Sequence, residues 1–185
     1  MKVGIVSDTH GCVTTWKRAL AGPFAGVDLI VHAGDVLYHG PRNPLVPGYD
    51  PPQLARIINA SPVPILIARG NCDAEVDQLL VDWPIQAPFA FLQVDGVRVM
   101  VHHGHTMTEA EMLELARRYR VDLFVYGHTH VAACRREDGI TLLNPGSPTL
   151  PKDENKTPTV AVLDGRDLTI LDINSGSVIT TIAVG

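Results

Sequence analysis

The sequence lacks a long hydrophobic run, paired cysteines and an excess of basic residues. No apolar stretch approaches the roughly 18 residues that a membrane-spanning helix needs, so we expect no membrane anchor. The first apolar run begins at residue 2, and we expect no signal peptide ahead of it. The three cysteines are odd in number and have no C-x-x-C spacing. This pattern predicts free thiols and a reducing cytoplasm.

The charge balance is acidic, with 20 Asp and Glu residues against 15 Lys and Arg residues. Nucleic-acid-binding proteins usually carry a basic stripe, so the net charge of −5 argues against a nucleic-acid partner. Hydrophobic residues form 45% of the 185 residues and charged residues 19%, which is typical of a globular chain with a substantial core. No linker or repeat interrupts the sequence, so we expect one domain over residues 1–185.

Apolar runs in the first half alternate with helical segments. Three of these runs, at residues 2–7, 29–31 and 65–67, end in glycine and polar residues before the next helix. This alternation predicts an α/β architecture with the functional site at the carboxyl ends of the strands.

The second half of the chain is richer in predicted strands. Two apolar runs flank Asp95-Gly96 and predict a hairpin. One helix follows, with Thr108 and Glu111 spaced as a capping box. Its predicted buried face consists of Met112, Leu115, Ala116 and Tyr119.

Seven side chains with oxygen or nitrogen donors follow the predicted strands. They are Asp8, His10, Asp35, Asn71, His103, His128 and His130. Carboxylate, amide and imidazole ligands are typical of sites for Mn, Fe, Zn or Ni and differ from those of a structural cysteine site. Seven donors are too many for one tetrahedral ion and match two ions that share a carboxylate. Such pairs of ions are a common device for displacement at phosphorus.

Five sequence blocks carry a resemblance to a known family. In chain order they are Asp8-x-His10, Gly34-Asp35, Gly70-Asn71-Cys72-Asp73, His103-Gly104-His105 and Gly127-His128-Thr129-His130. Together they resemble the calcineurin-like metallophosphoesterase superfamily. Residues 34–43 and 144–147 further resemble the bacterial YfcE-like phosphodiesterases. The resemblance implies a four-layer α/β/β/α sandwich, in which two facing mixed sheets lie between helices.

The resemblance also implies a role for each donor. The first metal ion would be held by Asp8, His10 and His130. The second would be held by Asn71, His103 and His128, with Asp35 bridging the two ions. A hydroxide between the ions would attack phosphorus. The expected protein is therefore a metal-dependent phosphodiesterase with two divalent ions and a small phosphodiester as substrate. Manganese is the first candidate for the ions, and nickel, iron and zinc are the alternatives.

Cys72 departs from the family pattern, because many members carry a histidine at this position. A thiol with a pKa of ~8.5 is a poorer general acid than imidazole at neutral pH. We therefore expect a preference for activated or acidic leaving groups, with a purely space-filling thiol as the alternative.

Three further side chains are candidates for a part in catalysis. Arg42 lies in a proline-rich loop and is expected to contact a non-bridging phosphoryl oxygen, unless it is only a solvated loop arginine. Asp73 is expected to orient Asn71 or Cys72. His105 is expected to orient a metal ligand or to contact phosphate.

Other functions remain open from the sequence. A phosphomonoesterase would use the same donors. A protein-interaction scaffold, like the retromer subunit of this superfamily, would not need all seven donors, although Cys72 favours this alternative. A nuclease is disfavoured by the acidic charge. Exposed strand edges in the second half allow pairing between subunits without fixing their number.

Overall fold

The computed structural model describes all 185 residues, which form twelve strands and three α-helices. The strands are β1 (Lys2–Val6), β2 (Leu29–His32), β3 (Ile65–Ala68), β4 (Ile85–Gln86), β5 (Ala90–Val94), β6 (Val97–Val101), β7 (Leu123–Val125), β8 (Ala133–Glu137), β9 (Ile140–Asn144), β10 (Thr159–Asp164), β11 (Asp167–Asp172) and β12 (Val178–Ala183). The helices are α1 (Val13–Ala21), α2 (Pro51–Asn59) and α3 (Glu109–Tyr119), with a 3-10 helix at Glu75–Leu79. None of the helices combines the length and apolarity that crossing a membrane requires.

The strands form two mixed sheets. The first sheet has the order β12-β11-β10-β1-β2-β3-β4, and the second has the order β5-β6-β7-β9-β8. Strands β1 to β4 run parallel, whereas β10 pairs antiparallel with β1. In the second sheet, β6, β7 and β9 run parallel. Parallel strands bring their carboxyl ends to one edge, so each sheet presents several loops at the same end of the molecule.

Three apolar layers hold these elements together. Side chains such as Ile5 and Leu123 fill the space between the two sheets. Trp16 and Leu54 belong to the layer under α1 and α2, and Phe124 to the layer under α3. Full burial of one such side chain stabilises the fold by about 1.5–3 kcal/mol. The order of layers is helix, sheet, sheet, helix, which confirms the predicted α/β/β/α sandwich.

Local signals in the second half formed as predicted, with one exception. Asp95 and Gly96 have φ values of 47° and 80°, which suit a tight hairpin turn between β5 and β6. Thr108 and Glu111 form the capping box at the start of α3. The prediction that Tyr119 is buried was wrong, because its side chain is 49% exposed and packs edge-on against Phe91 of the edge strand β5. Leu113 is buried on this helix.

Candidate metal centre

The seven donor residues lie in the loops that directly follow β1, β2, β3, β6 and β7. Five of them have left-handed backbone angles: Asp8 (φ 57°), His10 (φ 45°), Asp35 (φ 59°), His128 (φ 68°) and His130 (φ 59°). A non-glycine residue held in such a sparsely populated region costs of order 1–3 kcal/mol. The fold therefore concentrates backbone strain in these loops.

Asp8, His10 and His130 form the tightest cluster, and all three are buried. The Asp8 Oδ1 atom lies 3.2 Å from His130 Nε2 and 3.6 Å from His10 Nε2. The two Nε2 atoms are themselves 3.2 Å apart. These are the three side chains that the family pattern assigns to one ion.

The histidines of the cluster are held by backbone carbonyl groups. The acceptors are Tyr38 O for His10, Leu150 O for His130 and Ala33 O for His103, at 2.7, 2.7 and 2.8 Å from Nδ1. A carbonyl oxygen only accepts, so each Nδ1–H donates. In a neutral ring the lone pair is then on Nε2, which faces the carboxylates. Contacts of this kind fix the tautomer of metal-binding histidines.

Asp35 lies between His10 and His103. Its Oδ2 atom is 3.3 Å from His103 Nε2 and 3.8 Å from His10 Nε2. The distance from Asp8 Oδ1 to His103 Nε2 is 3.8 Å. Asp8 Oδ1 and His103 Nε2 are buried and have no hydrogen-bond partner within the protein. A buried carboxylate oxygen without a donor, beside imidazole nitrogens that can bind metal, fits a cation next to it.

Asn71 and His128 lie at the rim of this cluster rather than inside it. Both side chains are exposed. The Asn71 amide donates to Cys72 Sγ at 3.2 Å, and the His128 ring centre is 5.4 Å from that of His103. The structure thus brings five of the predicted ligands into close contact and leaves two at the open side.

Glycines allow the loops to approach one another closely. A Cβ atom at Gly34, whose φ is 103°, would lie 2.6 Å from the Gly70 amide nitrogen and 2.9 Å from His103 Nδ1. A Cβ atom at Gly127 would lie 2.7 Å from Asp8 Oδ2. Larger residues at these two positions would push the carboxylate and imidazole groups apart.

Asp73 is buried and holds the Asp35 loop in place. Its carboxylate accepts hydrogen bonds from the amides of Asp35 (2.8 Å), Val36 (2.7 Å) and Gly70 (2.7 Å). Burial raises the pKa of Asp73, and the amides of Gly70 and Val36 act in the opposite direction. The sequence suggested that this residue orients Asn71 or Cys72, whereas the hydrogen bonds of its carboxylate position the Asp35 backbone.

The charges of the cluster shift several pKa values in the metal-free protein. Burial raises the pKa of Asp8, but His10 and His130 outweigh it and hold that pKa well below its usual range. Burial lowers the pKa of His103, but Asp35 and Asp8 raise it to about 9. Burial and the nearby Asp35 raise the pKa of Cys72 to about 12, so this residue is a neutral thiol at pH 7.

A cavity of about 800 Å³ opens above the cluster. Its lining includes Asp35, Arg42, Asn71, Cys72, His128 and Lys152. The sequence singled out Arg42 but missed Lys152, because a single lysine in an irregular segment belongs to no motif. His105 lies outside this cavity, in a neighbouring one of about 440 Å³, and its ring stacks on His102 with 5.6 Å between centres.

The calcineurin-like phosphoesterase superfamily domain matches residues 1–167. Phosphodiesterase YfcE of Escherichia coli K12 is 37% identical over 186 residues, which covers 100% of this chain and 98% of that protein. The solved structure of E. coli YfcE, described as a phosphoesterase, covers 100% of both chains with a TM-score of 0.86 and 33% identity.

A more distant structure shares the fold alone. Vps29 of Entamoeba histolytica, solved in complex with zinc, has a TM-score of 0.64 at 18% identity and covers 99% of both chains. The full-length likeness to YfcE and the buried cluster of histidines and carboxylates both indicate a hydrolase with a potential metal site. The chain belongs to the calcineurin-like phosphoesterase superfamily.

Proposed function

We propose that the protein is a metal-dependent phosphodiesterase that works through a two-metal centre. The observation that supports it most strongly is the position of Asp35 between His10 and His103, beside a buried Asp8 oxygen that has no hydrogen-bond donor. Two bound divalent ions would supply a bridging hydroxide as nucleophile and neutralise charge on the phosphoryl oxygens. The 37% identity to a phosphodiesterase over the full chain supports a small diester as the substrate class.

The proposed ligands divide into two sets. The first ion would be held by Asp8, His10 and His130, and the second by Asn71, His103 and His128, with Asp35 shared. The carbonyl acceptors of the histidines keep their Nε2 lone pairs directed at the centre. Asn71 and His128 are at the open side of the cluster, where a side chain has room to turn towards an ion. The donor set supports Mn as the first candidate and leaves Ni, Fe and Zn as alternatives.

Cys72 limits the leaving groups that the proposed enzyme handles well. Burial raises the pKa of the thiol, so Cys72 is a weak acid and protonates a departing alkoxide poorly. Diesters that release the anion of an acidic alcohol, such as p-nitrophenolate, need no such proton. We therefore propose a preference for activated leaving groups.

The proposed function also has consequences for the domain organisation, cellular location and assembly of the protein. We propose that residues 1–185 act as one domain, since Asp35 follows a strand of the first sheet and His103 a strand of the second. Three free cysteines support a cytoplasmic location. Pairing of subunits through strand edges remains a proposal without a fixed number.

The first experiment measures hydrolysis by the metal-stripped protein after Mn, Ni, Fe or Zn is added back singly. The substrates are bis(p-nitrophenyl) phosphate and p-nitrophenyl phosphate. We expect metal-dependent cleavage with the diester preferred. A preference for the monoester would indicate a phosphomonoesterase. Absence of cleavage with every ion would favour a scaffold.

A variant at the shared carboxylate tests the two-metal centre itself. Asp35→Ala is expected to lose metal binding and hydrolysis together, because it removes the carboxylate that faces both His10 and His103. Asp82→Ala, a change of an exposed aspartate outside the cluster, is the matched control. Activity that survives in Asp35→Ala after thorough chelation would contradict the proposed centre.

A further inference from the structure

Two cationic side chains line the cavity above the metal centre from separate loops. Arg42 lies in the loop between β2 and α2, and Lys152 lies between β9 and β10. The arginines that form ion pairs with carboxylates in the structure are Arg98, Arg117 and Arg135, and no lysine side chain does so. The charges of Arg42 and Lys152 are therefore free to act on a ligand.

Both loops are hydrogen-bonded to histidines next to Asp8, namely His10 and His130. The Nδ1–H of His10 donates to Tyr38 O, four residues before Arg42, and the Nδ1–H of His130 donates to Leu150 O. The amide of Lys152 in turn donates to His130 O at 3.1 Å. These hydrogen bonds therefore anchor the backbone of Lys152 and the loop that carries Arg42, the latter at Tyr38.

The charge balance of the proposed centre leaves these cations without a counter-charge. Asp8 and Asp35 contribute one negative charge each, and two divalent ions contribute four positive charges. A simple phosphodiester and a hydroxide each bring one negative charge, so the charges of the two carboxylate ligands, the ions, the hydroxide and the diester already sum to zero. Arg42 and Lys152 add two positive charges to the same cavity. A second anionic group on the substrate would match their charge.

We propose that Arg42 and Lys152 form a second phosphate subsite, which binds a terminal phosphate on one arm of the diester. The inference rests on the proposed function and narrows its substrates to diesters that carry an additional phosphate. A phosphate monoester has a charge of about −1.5 to −2 at pH 7, which matches two cations. A guanidinium and an ammonium group are both suited to phosphate. Arg42 thereby acts on the arm and not on the scissile phosphoryl oxygen.

Equilibrium binding tests the subsite without relying on catalysis. Isothermal titration calorimetry compares thymidine 3′,5′-bisphosphate with thymidine 5′-monophosphate on the Mn-loaded full chain. We expect the bisphosphate to bind at least roughly tenfold more tightly, because it adds charge-assisted hydrogen bonds. In the double variant Arg42→Ala/Lys152→Ala the ratio of the two affinities is expected to fall to about one. Higher ionic strength is expected to reduce the ratio in the unmodified protein.

A matched double variant controls for the loss of two charges. Lys17→Ala/Arg56→Ala removes the same charge from exposed positions on α1 and α2 and is expected to keep the full ratio. Equal affinities in the unmodified protein would overturn the inference. An Arg42→Ala/Lys152→Ala protein that binds both ligands more weakly with an unchanged ratio would also overturn it, because the cations would then serve the scissile phosphate.

Hydrolysis separates this inference from the proposed function. The p-nitrophenyl esters of the same nucleotides, with and without the 3′-phosphate, release the same leaving group. Failure to cleave either ester would contradict the phosphodiesterase, while the affinity ratio would still decide the subsite. Cleavage of both esters with equal kcat/KM would leave the phosphodiesterase standing and overturn the subsite.

Discussion

Removal of metal is expected to destabilise the protein because Asp8, His10 and His130 converge in a buried cluster where Asp8 Oδ1 has no hydrogen-bond partner. His10 Nε2 and His130 Nε2 are 3.2 Å apart, and both face Asp8 Oδ1 while their Nδ1 atoms are committed to carbonyl groups. A buried polar group without a partner costs about 1–3 kcal/mol. A cation bound in the cluster gives Asp8 Oδ1 the partner that it lacks.

The size of the effect follows from the linkage between binding and folding. Free ion at about 1,000 times its dissociation constant stabilises a site by about 4.1 kcal/mol. In a chain of this length, each kcal/mol moves Tm by about 2–4 °C. Loading the Asp8 cluster alone is therefore expected to raise the Tm of the chelated protein by about 8–16 °C.

Thermal unfolding of the EDTA-treated protein with increasing Mn measures this shift. Asp8→Asn preserves size and tolerates the left-handed backbone of residue 8, yet it removes the charge, and it is expected to lose most of the shift. His39→Ala removes a loop histidine outside the cluster and is expected to retain the shift. A Tm that no divalent ion raises, or an equal rise in Asp8→Asn, would refute the reasoning.

Three more predictions concern residues around the centre. Asp73→Asn leaves one of three backbone amide donors without an acceptor. It is expected to lower the free energy of unfolding, measured in urea, by about 2–4 kcal/mol. A loss below experimental error would contradict the anchoring role of Asp73. Cys72→His supplies a better general acid. The ratio of kcat on alkyl diesters to kcat on nitrophenyl diesters is therefore expected to rise by at least about tenfold. An unchanged ratio would indicate that Cys72 only fills space. The pKa of His103 rises from 6.5 to about 9, so its protonated form stabilises the chelated protein below pH 6.5, and this contribution is lost as pH increases towards 9. Metal binding displaces that proton, so calorimetry is expected to show Mn affinity rising by up to about tenfold per pH unit in the same interval; a pH-independent affinity would exclude His103 as a ligand.

Short-range patterns predicted the α/β first half and the donor cluster, whereas the four-layer order was implied by the family resemblance. A buried strand followed by glycine and a polar residue is visible within ten positions, and three such units predict where the carboxyl ends meet. Asp8, His10 and Asp35 each follow a strand of this kind. The hairpin at Asp95 and the capping box at Thr108 are equally local signals.

Features that depend on distant hydrogen bonds were not accessible from the sequence. Asp73 is next to Cys72 in the chain, which suggested a local role, but its carboxylate reaches the amide of Asp35, 38 residues away. Lys152 reaches the cavity because its segment is bound to His130, and nothing in its neighbourhood encodes that contact. The exposure of Tyr119 depends on β5 being a sheet edge, which is a property of the whole topology.

At the five residues with left-handed backbone angles, the side chains proposed to bind metal come with backbone strain that lowers the stability of the fold. Glycine adopts these angles without a Cβ penalty, so a glycine at residue 10 or 130 relieves strain that histidine imposes. A library screened only for thermal resistance in chelator selects against this strain without selecting for the metal ligands. Stability and activity compete directly at these loops, and improved variants should be selected with the ion present.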